Sequence, residues 1–308
     1  MSILESQRID NLIQFLDRIE TEITEIIDVD IKPKETIEAL RLEVIEVLKI
    51  AYNEGDSTVR RSAMYGLSKI GLDRSLELFI AALNDPDEHV RGWAAEALGK
   101  LKSPRAISSL IKALADENHY VCFNACNALK HYPPKAIISH LVKALQDADC
   151  IIRRRACKLL GEIGEQGVIE AIISALKDED PGVRYEAAEA LRKLKNPTSI
   201  LPLVSALYDP NQDVQAVAIM ALGNFGDARA IEPLVSMLIE QKNHRHACIE
   251  ALKNICGEDC LELLFELIRS SKKLTIEASR IILENIYVQR NTSLEDVNEP
   301  YQRVGNSC

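Results

Sequence analysis

An internal repeat of 31 residues constrains what this chain can fold into more than any other feature of the sequence. Small residues recur at five steps of 31 and then two steps of 30, in the column Ala63, Ala94, Ala125, Ala156, Ala187, Ala218, Cys248 and Ala278. A second apolar column follows four residues later: Leu67, Leu98, Leu129, Leu160, Leu191, Leu222, Leu252 and Ile282. A period of about 20 to 50 residues indicates that a chain stacks copies of one supersecondary unit.

Each repeat is expected to hold two helices. A third column stands four residues before the small one, at Val59, Val90, Val121, Ile152, Val183 and Val214, and this i, i+4, i+8 spacing is that of one helical face. An earlier helix ends in a leucine column: Leu83, Leu114, Leu145, Leu176, Leu207 and Leu238. Turns such as Asp85-Pro86-Asp87 join the two helices, because short Asp and Asn side chains cap the second helix. Pro202 and Pro233 should lie in the first turn of their helices, where a missing N–H costs little.

The composition also favours stacked helices. Apolar residues make up 47% of the chain and aromatic residues only 5%. So few aromatic residues favour packed helices over a sheet, whose core is usually rich in aromatic and β-branched pairs. We predict an all-α, right-handed α-solenoid of about eight two-helix repeats over residues 36–288, since one helix pair cannot bury its apolar face alone. Residues 1–35 are predicted to form an N-terminal capping helix, and the polar residues 289–308 a disordered tail.

The repeat resembles a known family. The stretch from Asp85 to Leu101 reads Asp-Pro-Asp-x-x-Val-Arg-x-x-Ala-x-x-Ala-Leu-Gly-x-Leu, and the stretch from Asp178 to Leu194 is similar, with Arg192 at the glycine position. This pattern looks like the phycobilisome-lyase HEAT-like repeat, and the resemblance covers roughly residues 36–286. The family includes cyanobacterial phycobilin lyases and phycobilisome-degradation factors, together with scaffolds that carry out no chemistry. The resemblance therefore implies a HEAT-like solenoid and leaves the function open.

One face of the second helices points away from the core. At about 100° per residue, the positions equivalent to 92, 96 and 99 point away from the buried columns and are expected to form the concave surface. We call the first two levels, the positions equivalent to 92 and 96, the outer row. The outer row reads Arg61, Gly92, Phe123, Arg154, Tyr185 and Ala216 at its first level, then Tyr65, Glu96, Asn127, Lys158, Glu189 and Met220 at its second. Aromatic side chains beside Arg are enriched at binding hot spots.

The candidate binding residues on and beside the outer row are Tyr65, Trp93, Phe123, Asn127, Arg154, Arg155, Lys158, Tyr185 and Glu189. The alternative is that the aromatic rings only pack over neighbouring helices.

An arginine column adjoins the core at Arg60, Arg91, Arg153, Arg184 and Arg245. Carboxylates recur four residues earlier at Asp56, Asp87, Asp149 and Asp180. Ion pairs between repeats would satisfy both columns, which we favour over a phosphate-binding ladder. The third repeat has Cys122 in place of Arg and Asn118 in place of Asp, as expected where such a pair is lost.

Charge and targeting signals narrow the classes of function. The formal net charge of −10 opposes binding to nucleic acid or to an anionic membrane. Met1–Glu5 does not begin a signal peptide, and no run of 18 apolar residues occurs. We therefore expect a cytoplasmic protein without membrane insertion.

No catalytic residue can be assigned from the sequence, and no metal is expected. Cys122, Cys126 and Cys157 could lie together, but Cys also substitutes for Ala in the small columns. None of the six histidines is followed by Glu, unlike the iron ligands of the helical-repeat deoxyhypusine hydroxylases. A Ser-His-Asp order and a P-loop are absent as well.

Two hypotheses for the function follow. The resemblance implies a phycobilin lyase or a chaperone for bilins or phycobiliproteins, with a phycobiliprotein and a second lyase subunit as partners. No cofactor would be required, although a phycobilin would bind transiently, with Arg154 and Arg155 for its propionates and Phe123 and Tyr185 for its conjugated system. The alternative is a scaffold or adaptor that binds another protein and has no connection with bilins.

Overall fold

The computed structural model describes residue 11 and residues 33–70, 73–240 and 243–257. Within these residues the protein forms fourteen α-helices and no strand. The helices are α1 Pro33–Glu54, α2 Ser57–Ile70, α3 Leu76–Ala82, α4 Glu88–Leu101, α5 Ile107–Lys112, α6 His119–Lys130, α7 Pro134–Ala144, α8 Cys150–Ile163, α9 Ile169–Ala175, α10 Pro181–Leu194, α11 Ile200–Ala206, α12 Gln212–Phe225, α13 Ile231–Glu240 and α14 Arg245–Cys256.

Odd-numbered helices are the first and even-numbered helices the second of each repeat, which confirms the α-solenoid of two-helix repeats. Five of the first helices are entered through a short 3₁₀ turn, and a sixth such turn follows α5: Asp73–Ser75, Pro104–Ala106, Ala113–Ala115, Gln166–Val168, Pro197–Ser199 and Ala228–Ala230. Pro202 and Pro233 lie in the first turns of α11 and α13, as predicted. The eighth repeat around Ala278, most of the predicted capping helix and the whole predicted tail fall outside the described residues.

The chain divides into two compact units, Met1–Leu159 and Leu160–Cys308. In the first unit α2 packs on α4 and α4 on α6; in the second, α10 packs on α12 and α12 on α14. These second helices thus lie side by side within each unit. This stacking is the reason that equivalent positions line up along each unit.

The repeated apolar columns are the core of both units. Every described residue of the small column, from Ala63 to Cys248, is fully buried. The second apolar column, from Leu67 to Leu252, is at most 1% exposed. Burial of a large apolar side chain stabilises the fold by about 1.5–3 kcal/mol. The columns read from the sequence are therefore what holds the helix pairs together.

The turns cap the second helices as predicted. Asp87 accepts hydrogen bonds from the backbone N–H groups of His89 and Val90, and Asn211 does the same for Asp213 and Val214. Asn118 accepts from the N–H of Tyr120, so this asparagine replaces aspartate as a cap. Such a cap contributes about 1 kcal/mol to stability.

Ion pairs do link successive repeats, but the predicted aspartate column was wrong. Arg91 binds both carboxylate oxygens of Asp116 at 2.7 and 2.9 Å, and Arg184 binds Asp209 in the same way. These aspartates begin the turn, two residues before the cap. The caps of these two turns are Asn118 and Asn211, which have no carboxylate, so each arginine pairs with the aspartate that begins the turn.

The third repeat lacks the arginine of an ion pair but keeps its aspartate, so the two members were not lost together as predicted. Its Asp116 is present and pairs with Arg91, and Asn118 caps its helix. The Cys122 thiol donates to the Asp116 carbonyl at 2.9 Å. In repeats with arginine, the guanidinium donates to the equivalent carbonyl, as Arg91 does to that of Asp85. Cys122 therefore keeps this contact within its turn.

Glycines bring second helices close together at every second junction. An ideal Cβ built on Gly99 would lie 2.7 Å from the Ala128 Cα, and the same holds for Gly161 with Ala190. The distance from Gly223 to the Ala251 Cα would be 2.8 Å. Real Cβ atoms do not approach backbone so closely, so these junctions require glycine. The expectation that position 99 points away from the core was therefore wrong, because Gly99 is buried against the helix of the next repeat.

Candidate functional site

The outer row of the first unit is open to solvent at most of its positions. Tyr65, Phe123, Arg154 and Lys158 are exposed, and Asn127 is half-buried. Of the candidate residues beside the row, Trp93 and Arg155 are also half-buried. In the second unit, the candidates Tyr185 and Glu189 on α10 are half-buried.

A line of aromatic rings runs across three second helices of the first unit. Tyr65 on α2 meets Trp93 on α4 edge to face, with ring centroids 5.4 Å apart. His89, one turn before Trp93, lies 5.8 Å from that ring and 6.1 Å from the ring of Tyr120 on α6. We call Tyr65, Trp93, His89 and Tyr120 the aromatic strip. Such ring pairs contribute about 0.5–1.5 kcal/mol beyond their buried area.

Gly92 makes room for the last ring of the strip. An ideal Cβ on Gly92 would lie 2.1 Å from Cε1 of Tyr120, so the tyrosine ring occupies the space that a side chain would fill. Gly92 is buried although it stands in the outer row, because Tyr120 covers it. A gap in one repeat is thus filled from the next.

Sequence reasoning selected Tyr65 and Trp93 but missed His89 and Tyr120. Both belong to a column one turn before the outer row, which reads Thr58, His89, Tyr120, Ile151, Gly182 and Asp213. Residues three apart on a helix are neighbours on its surface. That spacing from Gly92 and Phe123 was the signal that could have identified them.

Four large apolar side chains are exposed on the second helices of the first unit. Phe123 is 56% exposed, Ile151 44%, Tyr120 39% and Tyr65 38%. Among the described second helices of the other unit, Met220 alone is comparably exposed, at 47%. Grouped exposed apolar side chains mark interaction surfaces, whereas single ones are ordinary.

Basic side chains accompany the rings. One turn beyond the second level of the outer row, the Lys69 ammonium lies 5.2 Å from the centroid of the Tyr65 ring, which is a cation–π contact. Lys100 pairs with Glu96 at 2.8 Å. Arg61 forms an ion pair with the cap Asp87 of the next repeat. The surface therefore combines aromatic and cationic groups.

Three predicted residues have structural partners. The Arg155 guanidinium donates to the backbone carbonyl of Leu114 in the preceding repeat, and the backbone carbonyl of Asn127 contacts Nδ1 of His131 at 2.7 Å. In the second unit, Glu189 accepts from Nε and Nη2 of Arg192 at 3.0 and 2.8 Å. Arg155 and Glu189 thus help to hold their own surfaces in place.

The cysteines of the third and fourth repeats are buried or half-buried. Cys122 and Cys157 are buried, and neither forms a disulfide. Burial raises the pKa of Cys126, although the positive charges of Arg155 and Lys130 offset part of that effect. A raised pKa keeps the thiol protonated, which makes it a poor nucleophile. Over the described residues, no group of three or more His, Cys, Asp and Glu side chains is placed to hold a metal ion.

The described helices contain no segment long and apolar enough to cross a membrane.

A family comparison matches HEAT repeats over residues 45–130, 138–208 and 200–283. Among solved structures, importin beta is 17% identical with a TM-score of 0.51, covering 81% of this chain and 42% of its own. The Escherichia coli protein YibA is 22% identical with a TM-score of 0.47, covering 83% of this chain and 99% of its own.

The CpcE and CpcF complex of phycocyanin lyase from Nostoc sp. PCC7120 is 23% identical with a TM-score of 0.33, covering 80% of this chain and 94% of that chain. No curated protein sequence gives a significant match. These identities are low, so the structural likenesses concern the fold alone.

Proposed function

Since the chain belongs to the HEAT repeat family, we propose that it is a scaffold that binds another protein on the outer row of its first unit. The observation that carries this proposal is the group of exposed apolar side chains on successive second helices, above all Phe123 and Tyr120. Aromatic residues and arginine dominate the hot spots of protein interfaces. A stack of helices presents such groups on rigid backbone, so little ordering accompanies binding.

The aromatic strip is suited to a contact surface. Its rings are held by each other and by the Gly92 gap, so they are oriented before a partner arrives. Phe123 stands three residues after Tyr120 on the same helix and is the most exposed of the four apolar side chains. We therefore expect Phe123 to be the principal anchor and Tyr120 its neighbour in the interface.

Affinity capture with matched variants tests the proposal. The full chain and the Phe123→Ala/Tyr120→Ala variant would be used on a lysate of the source organism, followed by binding measurements with the purified partner. Loss of both anchors should weaken binding by about 2 kcal/mol or more. Met220→Ala is the control, because it removes an exposed apolar side chain from the other unit. A partner held equally by all three proteins, at equal thermal stability, would refute the assignment.

A second candidate is the handling of a bilin or a phycobiliprotein, in keeping with the resemblance of the repeat. Phe123 and Arg154 are both exposed and stand on consecutive second helices of the first unit. A bilin has two propionates for cationic side chains and a long conjugated system for aromatic ones. On this hypothesis the phycobilin is transient, and a phycobiliprotein and a second lyase subunit are the partners.

Visible absorption tests the bilin hypothesis. Added phycobilin should show a shifted and sharpened band if the protein restricts its conformation, and Arg154→Ala should weaken the shift. Lys143→Ala, which removes an exposed cation from a first helix, is the control. If the spectrum of free bilin stays unchanged even with apo-phycobiliprotein and candidate subunits present, the scaffold hypothesis alone remains.

A further inference from the structure

The exposed face of the first unit has a charge opposite to that of the whole protein. The chain carries 37 basic and 47 acidic residues, a net charge of −10. On α2, α4, α6 and α8, the outer row and the position one turn beyond it hold five cations, Arg61, Lys69, Lys100, Arg154 and Lys158, against two acids, Glu96 and Glu162, the second of which falls just inside the second unit. We call these five residues the cationic row. A positive surface on an acidic protein favours partners with negative charge.

The ion pairs of the cationic row indicate which of its cations can bind a partner. Arg61 is engaged by Asp87, whose side chain is only 6% exposed, and the pairing holds the guanidinium against the protein. The Lys100 to Glu96 pair joins two side chains that are both more than 40% exposed, and such surface pairs are weak and readily exchanged. Lys69 and Lys158 are exposed as well. Lys69, Lys100 and Lys158 are therefore the cations best placed to meet a partner's carboxylates.

The spacing of the second helices sets the spacing of those carboxylates. Packed helices lie about 8–10 Å apart, and an extended chain advances about 3.3 Å per residue. A peptide crossing the second helices thus passes from Lys69 on α2 to Lys100 on α4 in about three residues. At the C-terminal end of α6 the position equivalent to Lys100 is His131, and the exposed ring of Phe123 lies eight residues before it, about two helical turns nearer the start of the helix. A segment that reaches both lysines and this ring therefore has to run obliquely across the second helices.

We propose that the partner presents an extended acidic segment, with carboxylates about three residues apart and an aromatic or aliphatic side chain that packs on Tyr120 and Phe123. This inference rests on the proposed protein-binding function and specifies the partner's chemistry at the same surface. A peptide is favoured over nucleic acid because the net charge of −10 repels a polyphosphate. A segment with a few carboxylates is repelled less, and it can pair with the cationic row while its apolar side chain packs on Tyr120 and Phe123.

Fluorescence anisotropy with the full chain tests the inference. The probe is a short labelled peptide with Glu at every third position and one Phe; a Lys-for-Glu peptide, a Ser-for-Phe peptide and oligo(dT) are the comparison probes. The acidic Phe peptide should bind most tightly, and binding should weaken about tenfold or more between about 20 mM and 200 mM salt. The Ser-for-Phe peptide should bind more weakly, and the Lys-for-Glu peptide should not bind.

Charge reversal supplies the matched variants. Lys69→Glu/Lys158→Glu should weaken binding of the acidic peptide about tenfold or more. Lys112→Glu/Lys143→Glu makes the same change in net charge on exposed positions of first helices and should have little effect. Equal weakening by both pairs, tighter binding of oligo(dT), or equal binding of the Lys-for-Glu peptide would overturn the inference.

The two proposals can fail separately. If the acidic peptide does not bind, yet the captured partner is lost from Phe123→Ala/Tyr120→Ala, the acidic-segment inference fails and the proposed function stands. If that variant retains every captured partner, the proposed function fails, and charge-dependent peptide binding would then have to occur away from these rings.

Discussion

The ring of Tyr120 lies over the backbone of Gly92, in the space where a side chain of the preceding repeat would stand. This contact places the end of the aromatic strip beside the exposed Phe123. It depends on two positions 28 residues apart in sequence, one of which has no side chain at all. The surface is therefore a product of neighbouring repeats acting together.

Gly92→Ala should displace Tyr120 without unfolding the protein. The new Cβ would lie 2.1 Å from Cε1, so the ring must swing away from its contact with His89. Alanine is favoured over glycine in a helix by about 1 kcal/mol, which offsets part of the lost packing. Loss of the ring-to-ring NOE between Tyr120 and His89, with a thermal midpoint close to that of the original protein, is the expected result. An unchanged NOE would contradict this account.

Gly99→Ala should destabilise the first unit. Its Cβ would meet the Cα and Cβ of Ala128 at 2.7 and 2.8 Å, and neither backbone can give way easily. Overpacking costs about 1–3 kcal/mol, more than the gain in helix propensity of about 1 kcal/mol. Urea denaturation would measure the loss. Gly167→Ala is the matched control, because nothing lies within 4 Å of its added Cβ.

Arg91→Ala should lower the free energy of unfolding by about 3 kcal/mol. Both side chains of the Arg91 to Asp116 pair are only 10% exposed, so the aspartate would be left without its bidentate partner. Arg105→Ala removes one side of an exposed pair with Glu77 and should change stability by at most about 0.5 kcal/mol. Chemical denaturation of the two variants shows whether the buried ion pairs between repeats stabilise the fold.

Acid should destabilise the protein partly through Asp87. Burial on its own would raise the pKa of this carboxyl, but hydrogen bonds from Arg61 and from the Val90 and His89 N–H groups bring its pKa below the ordinary value of 3.8. A lowered pKa in the folded state contributes stability above pH 3.8, which is lost as the pH falls through the folded value. The loss therefore begins near pH 3.8 and grows below it.

Asp87→Asn checks this contribution. Asparagine keeps a cap oxygen but does not titrate, so the stability of the variant should fall less steeply below pH 3.8. Urea midpoints measured across this pH range would show the difference. Identical pH profiles for the two proteins would exclude Asp87 as a contributor.

Sequence periodicity was enough to predict the packing of this protein but not its polar pairs. The columns of Ala63 and Leu67 are buried as predicted, because a helical face with a strict repeat has one way to reach the core. The partner of Arg91 was mistaken, since each turn offers two short polar residues, such as Asp116 at its start and Asn118 at the cap. Which of them faces the arginine depends on the direction of the turn, and spacing along the chain does not reveal that direction.

The candidate site could be predicted only in part for a similar reason. Tyr65 and Trp93 carry the right residue types at the right helical positions, and the structure brings their rings into contact. Tyr120 joins them because its ring fills the space beside Gly92 of the preceding repeat. The pattern within one repeat cannot show such a contact. Arg155 was selected for its charge, but its guanidinium reaches back to the Leu114 carbonyl. The partner-binding role of all nine candidate residues stays a prediction.

The alternation of glycine junctions implies that the natural building block of this solenoid is two repeats. Gly99, Gly161 and Gly223 are spaced 62 residues apart, and each faces an alanine in the next repeat. The intervening positions, Ser68, Lys130 and Arg192, all bear side chains. Deleting one repeat after Gly99 would set this glycine against Leu159 instead of Ala128. Duplications and deletions, whether in evolution or in engineering, should therefore be tolerated best in steps of four helices.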